Sequence, residues 1–95
     1  MSIVDKILRR KKPDPNERRR RLLANGRITD GVILDSEINA DGEEIVFFLY
    51  TLNGVDFESS DILTSEQRRE PIKYAPGARV GVRYDPRNQG NSIVE

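Results

Sequence analysis

The sequence predicts a mainly β protein: a small curled antiparallel sheet or a five-to-six-stranded barrel, preceded by one short N-terminal helix. Three observations carry this. From Ile28 onward apolar residues recur at a spacing of two, the period of strands whose side chains alternate between faces. Turn chemistry punctuates the same region at short intervals, at Asn39-Ala40-Asp41-Gly42, Asn53-Gly54, Ala75-Pro76-Gly77 and Asp85-Pro86. Helix start and stop signals frame only one segment, 15–24. Ninety-five residues, 36% apolar and 34% charged, suffice for a single globular unit with a modest core.

The expected division is a basic arm over 1–13 and one β domain over 14–95. In the arm Ile3, Val4, Ile7 and Leu8 fall at i, i+1, i+4 and i+5, one stripe of a helix, and Arg9, Arg10, Lys11 and Lys12 follow. These eight residues are the expected contact to an anionic membrane surface or a protein partner. A solvated terminus is the competing reading, because about 12 residues hold a helix poorly in water without a partner. Pro13-Asp14-Pro15 then starts a fresh helix. Asp14 is a cap, Pro15 suits the first turn, Glu17 completes a capping box, and Asn25-Gly26 supplies the stop. Its run Arg18 to Arg21 wraps around a full turn and reads as a solvated surface, while Leu22 and Leu23 are left to dock.

Ile28, Asp30, Val32, Leu34, Ser36 and Ile38 alternate with Thr29, Gly31, Ile33, Asp35 and Glu37, a strand with one mainly apolar face, and Gly31 marks an expected bulge or bend. The central hairpin is the strongest local signal. Asn53-Gly54 demands a type I′ turn, which sets Leu52 opposite Val55, Tyr50 opposite Phe57 and Phe48 opposite Ser59. Val46, Phe48, Tyr50, Leu52, Val55 and Phe57 then share a core face. Ile45, Phe47, Leu49 and Ile62 lie on the other and form the expected interface: either closure buries Phe47, or the helix leucines and a second chain cover the row. Residues 62–74 read as a polar loop with one helical turn near 65–69. Ala78, Val80, Val82 and Tyr84 form a strand that Asp85-Pro86 ends, and Ser92-Ile93-Val94-Glu95 closes the sheet.

The ending Tyr74-Ala75-Pro76-Gly77, the alternating strand, Tyr84-Asp85-Pro86-Arg87-Asn88 and Ser92-Ile93-Val94, together with Leu22-Leu23-Ala24-Asn25-Gly26 leading into Thr29-Asp30-Gly31-Val32, resembles the bacterial domain of unknown function 3592 family. The resemblance runs from Leu22 to the C-terminus and implies a small β domain ending in Y-x-P-G and V-x-V-x-Y-D-P. Many members of that family carry flanking membrane spans, which this chain does not. The resemblance implies no catalytic residues.

Chemistry is sparsely supplied. The chain has no cysteine and no histidine, so thiolate catalysis, cysteine-ligated zinc and the commonest general base are excluded. Asp35-Ser36-Glu37-Ile38-Asn39-Ala40-Asp41-Gly42 superficially matches a calcium loop, but aligning Gly42 puts Phe48 where a bidentate carboxylate is required, and a hairpin turn fits better. No enzyme, cofactor, metal or small-molecule substrate is expected. No stretch approaches the roughly 18 apolar residues of a membrane span, and no secretory signal opens the chain, which gives a cytoplasmic location, peripheral at the inner membrane surface if the arm binds lipid.

Charge is strongly polarised. Residues 1–27 hold ten basic and three acidic side chains, +7, and residues 28–95 hold six and thirteen, −7. The expected function is therefore a non-catalytic interaction or adaptor module, an acidic β domain with a basic arm for a membrane surface, a protein partner or a second copy. The alternative is a nucleic-acid-binding small barrel, which an acidic body and inward-facing aromatics disfavour.

Overall fold

The computed structural model describes residues 15–95. Asp14 and the arm residues Ile3, Val4, Ile7, Leu8, Arg9, Arg10, Lys11 and Lys12 lie outside them. A helix, α1 (Pro15–Asn25), is followed by five strands: β1 (Arg27–Ile38), β2 (Glu44–Leu52), β3 (Val55–Ile62), β4 (Arg79–Asp85) and β5 (Asn88–Val94). All neighbours are antiparallel, in the order β3-β2-β1-β4-β5. The two edge strands come back together, so the sheet is a nearly closed barrel. A single 3-10 turn, Gln67–Arg69, interrupts the link between β3 and β4.

The central hairpin forms in the expected register, with Leu52 opposite Val55, Tyr50 opposite Phe57 and Phe48 opposite Ser59. Asn53 and Gly54 adopt φ of 51° and 79°, the left-handed pair of a type I′ turn. Gly77, at φ 89°, supplies the same freedom after Pro76. Asp85 Oδ1 accepts the Arg87 N–H and turns the chain directly from β4 into β5. β5 therefore begins at Asn88, earlier than the sequence suggests. Asn39 organises the first hairpin turn, its Oδ1 accepting the N–H groups of Asp41 and Glu43.

Inside the barrel, Ile33, Val46, Phe48, Tyr50, Leu52, Val80, Val82 and Val94 form one core with Leu63 and Tyr74 from the long connection. Phe57 and Tyr84 stack on Tyr50 from either side and close the end of the barrel. Val55, expected in this row, is 54% exposed beyond the last core layer.

Two expectations about β1 and α1 require correction. The bulge lies at Leu34, between the pairs Ile33 with Phe48 and Asp35 with Phe47, and not at Gly31. One extra residue swaps the faces, so Ile33 becomes the core residue of β1 while Ile28, Leu34 and Ile38 stay exposed. Gly31 serves a different need: a Cβ there would stand 2.7 Å from Val82 Cγ2 and 2.9 Å from the Leu49 carbonyl oxygen, so its absence lets β1 fit between tightly curled neighbours. Helix α1 packs against β4 and β5, not on the second face of the central hairpin. Leu22 is buried there, together with the outward-facing Ile93, while Leu23 is 39% exposed. The burial of Ser92, Ile93 and Val94 in succession follows: the core takes one side and the helix the other.

Candidate interaction surface

The outer wall of the barrel is divided. The side built by β4 and β5 lies under α1, while among the described residues no helix packs on the outward row of β2. That row contains three of the four interface candidates, Ile45, Phe47 and Leu49, alternating with the buried Val46, Phe48 and Tyr50. The fourth, Ile62, is paired with Ile45 on β3 and is 38% exposed. Closure therefore leaves Phe47 outside the barrel, half-buried on the wall. Pairing adds residues that the sequence pattern did not mark. Val32 lies opposite Leu49, and the exposed bulge residue Leu34 follows it along β1. Neither was readable in advance: an uninterrupted hairpin register would set Val32 opposite Tyr50, and the bulge at Leu34 that moves it to Leu49 has no sequence signal of its own.

Acidic residues flank this row on both sides. On β1, Asp35 stands opposite Phe47 and Glu37 opposite Ile45. On β3, Glu58 stands opposite Leu49, and one step on Asp56 accepts a hydrogen bond from the Thr51 hydroxyl. The nearest basic residue across the sheet, Arg79, is a further strand away, opposite Val32. An apolar strip with carboxylates along both margins is a surface matched to an amphipathic, basic ligand.

The second constellation is the seam between β3 and β5. These edge strands share no ladder, and side chains take its place. Asp61, on β3, accepts the Val94 N–H at 3.1 Å, and Gln67 Nε2 donates to the Val94 carbonyl at 3.0 Å. Arg19 of α1 donates to the same carbonyl at 3.0 Å and lies 3.5 Å from the Asp61 carboxylate. Arg18 holds the Asn91 side chain and the Ser92 carbonyl, both at 2.7 Å. The expectation of a wholly solvated arginine run is thus corrected: Arg18 and Arg19 clamp the last strand, while Arg20 and Arg21 remain exposed. Burial pushes the Asp61 carboxyl above its ordinary value, against the opposing pull of the Val94 N–H, Arg19 and Arg18. This arrangement satisfies an otherwise open strand edge and is structural in character.

Segment 35–42 forms the end of β1 and its hairpin turn, as the sequence suggests. Among the described residues no cluster of three or more metal-ligating side chains occurs, and no helix is long and apolar enough to cross a membrane. Comparison with the curated proteins and with the solved structures returns no match. One family model does match, over residues 24–95, from the last turn of α1 through all five strands. The match covers all five strands and every turn described above but not Arg18, Arg19 or Leu22 of α1, and the chain belongs to that family, the domain of unknown function DUF3592.

Proposed function

We infer that the chain is a non-catalytic interaction module: an acidic β barrel that offers the outer row of β2 to a partner and carries a basic segment, 1–12, for an anionic surface. The observation that carries this reading is the apolar row Ile45, Phe47 and Leu49, half-buried on the outer wall with no described helix over it, on a barrel whose opposite wall lies under α1. The location it implies is the cytoplasm, peripheral to the inner membrane surface. Four basic residues in succession after Ile7 and Leu8 favour anionic lipid, each near the surface contributing about 1 kcal/mol.

The nucleic-acid alternative needs an exposed aromatic on a basic surface. Phe48, Tyr50 and Tyr74 are buried, Phe57 and Tyr84 pack on the core, and Phe47 faces outward beside Asp35 and Ser60. These positions favour the module. Flotation of the full chain with phosphatidylserine vesicles tests the reading. Binding at low salt, release at high salt and loss in Ile7→Asp are expected. Equal binding to neutral vesicles, or tight binding to a single-stranded oligonucleotide that Phe47→Ala weakens, would overturn it.

A further inference from the structure

Helix α1 is fastened to the barrel at two places, and neither belongs to a strand ladder. Near its start Arg18 donates to the Asn91 side chain and the Ser92 carbonyl, and Arg19 to the Val94 carbonyl beside Asp61. Further along, Leu22 is the one buried side chain among residues 16–25, on the side of the barrel where Ile93 is fully buried. The ladder beneath is complete without the helix: Val82 pairs with Val94, Arg83 with Ile93 and Tyr84 with Ser92. The seam also has a fastening of its own. Asp61 accepts the Val94 N–H, and Gln67 donates to the Val94 carbonyl, the same oxygen that Arg19 takes. Val94 therefore keeps a partner for each backbone group when Arg19 leaves.

An 11-residue helix holds poorly in water by itself, so α1 is helical because it is docked. Its joint to β1 is a single residue, Gly26, whose N–H donates to the Leu22 carbonyl at 2.8 Å. A Cβ there would stand 2.5 Å from that carbonyl oxygen and 3.1 Å from the Tyr84 carbonyl oxygen, both backbone atoms. The docked position thus requires a bare joint. The family match begins at residue 24, so Arg18, Arg19 and Leu22 are additions to the shared domain.

We propose that α1 is a detachable strap, which unfolds and leaves the outer side of β5 as one unit while the barrel stays closed. Release gives up one buried leucine and two arginine grips. It leaves Ile33, Val46, Phe48, Tyr50 and Val82 in an unchanged core, and Asp61 and Gln67 still hold Val94. It uncovers Ile93 and frees the Ser92 carbonyl, so the strap decides whether the sealed half of the wall faces solvent. The proposal goes beyond the module reading and does not rest on it.

Native-state hydrogen exchange of the full chain, followed by 15N NMR across low urea concentrations, tests this directly. The amides of Leu23, Ala24, Asn25 and Gly26 are expected to exchange as one group, about tenfold or more faster than those of Phe48 and Val82 and with a shallower dependence on urea. A common rate and a common urea slope for helix and barrel amides overturns the proposal. The chain has no cysteine, so Ile93→Cys and Val46→Cys each carry a unique thiol at a site 0% exposed. The thiol at 93 is expected to react with a soluble disulfide reagent about tenfold or more faster than the thiol at 46, and equal rates overturn the strap. Finally, Arg19→Ala with Gly26→Ala removes a grip and crowds the joint. The expected spectrum has α1 at unfolded positions and the Phe48 and Val82 signals in place, whereas joint loss of helix and barrel signals makes α1 an integral part of the barrel and overturns the proposal.

Discussion

Arg19 and Arg20 are neighbours in a run of four identical residues, yet they do different work. Arg19 reaches the Val94 carbonyl and the Asp61 carboxylate, while Arg20 is exposed. Arg19→Glu places a carboxylate against the buried Asp61 and should cost about 3 kcal/mol in urea unfolding, whereas Arg20→Glu should stay within about 0.5 kcal/mol. Equal midpoints for the two variants would contradict the seam. Asp61 itself carries a pH signature. Burial raises its carboxyl pKa, so the folded chain holds that proton more tightly than the unfolded chain. Its contribution is favourable below the unfolded value and is lost as pH rises through the folded value. Asp61→Asn keeps an acceptor for the Val94 N–H but removes the ionisation. Relative to the parent, the variant should gain stability as pH rises from below the ordinary carboxylate value through the raised folded value, and a difference that does not change with pH would contradict the assignment. Neither role was legible in the sequence. A four-arginine run reveals its helix but not which members meet the one inward carboxylate of a distant strand.

Elements were legible wherever local chemistry dictates them. Asn53-Gly54 gave the central hairpin and its register, because the turn admits one backbone solution and the strands inherit it. Gly54→Val should therefore cost about 1–3 kcal/mol, since a β-branched residue is forced to a positive φ; an unchanged melting temperature would show that the turn tolerates it. The bounds of α1 were likewise readable from Pro15 and Asn25-Gly26. Its docking side was not, because two adjacent leucines point about 100° apart on a helix and tertiary contact selects between them. Leu22→Asp should destabilise the domain by several kcal/mol through an unpaired buried charge, while Leu23→Asp, at a partly exposed site, should cost about 1 kcal/mol or less. Circular dichroism melts separate the two, and matching losses would place both leucines in the interface. The bulge at Leu34 escaped the sequence for a related reason: Val32, Ile33 and Leu34 are all apolar, so the pattern does not mark which of them turns inward, and only pairing with Phe48 and Phe47 reveals the extra residue.

At the scale of the whole molecule, curling brings β3 to β5 and splits the barrel wall into a sealed half and an open half. The period of two made a mainly β fold visible, and Ile45, Phe47, Leu49 and Ile62 were recognisable as a second face. How that face is disposed depended on where α1 lies, which no local pattern encodes. β2 therefore meets two demands: its inner row builds the core, and its outer row stays apolar although the described fold only half-buries it. Stability measurement tests this division most directly. Phe48→Ala empties a fully buried site and should cost about 3–5 kcal/mol, whereas Phe47→Thr with Leu49→Thr, which keeps strand propensity, should together cost no more than about 2 kcal/mol. Urea unfolding of the full chain that gives this asymmetry supports an outer row kept for contact. A double variant as unstable as Phe48→Ala would show that the row belongs to the core and contradict the account.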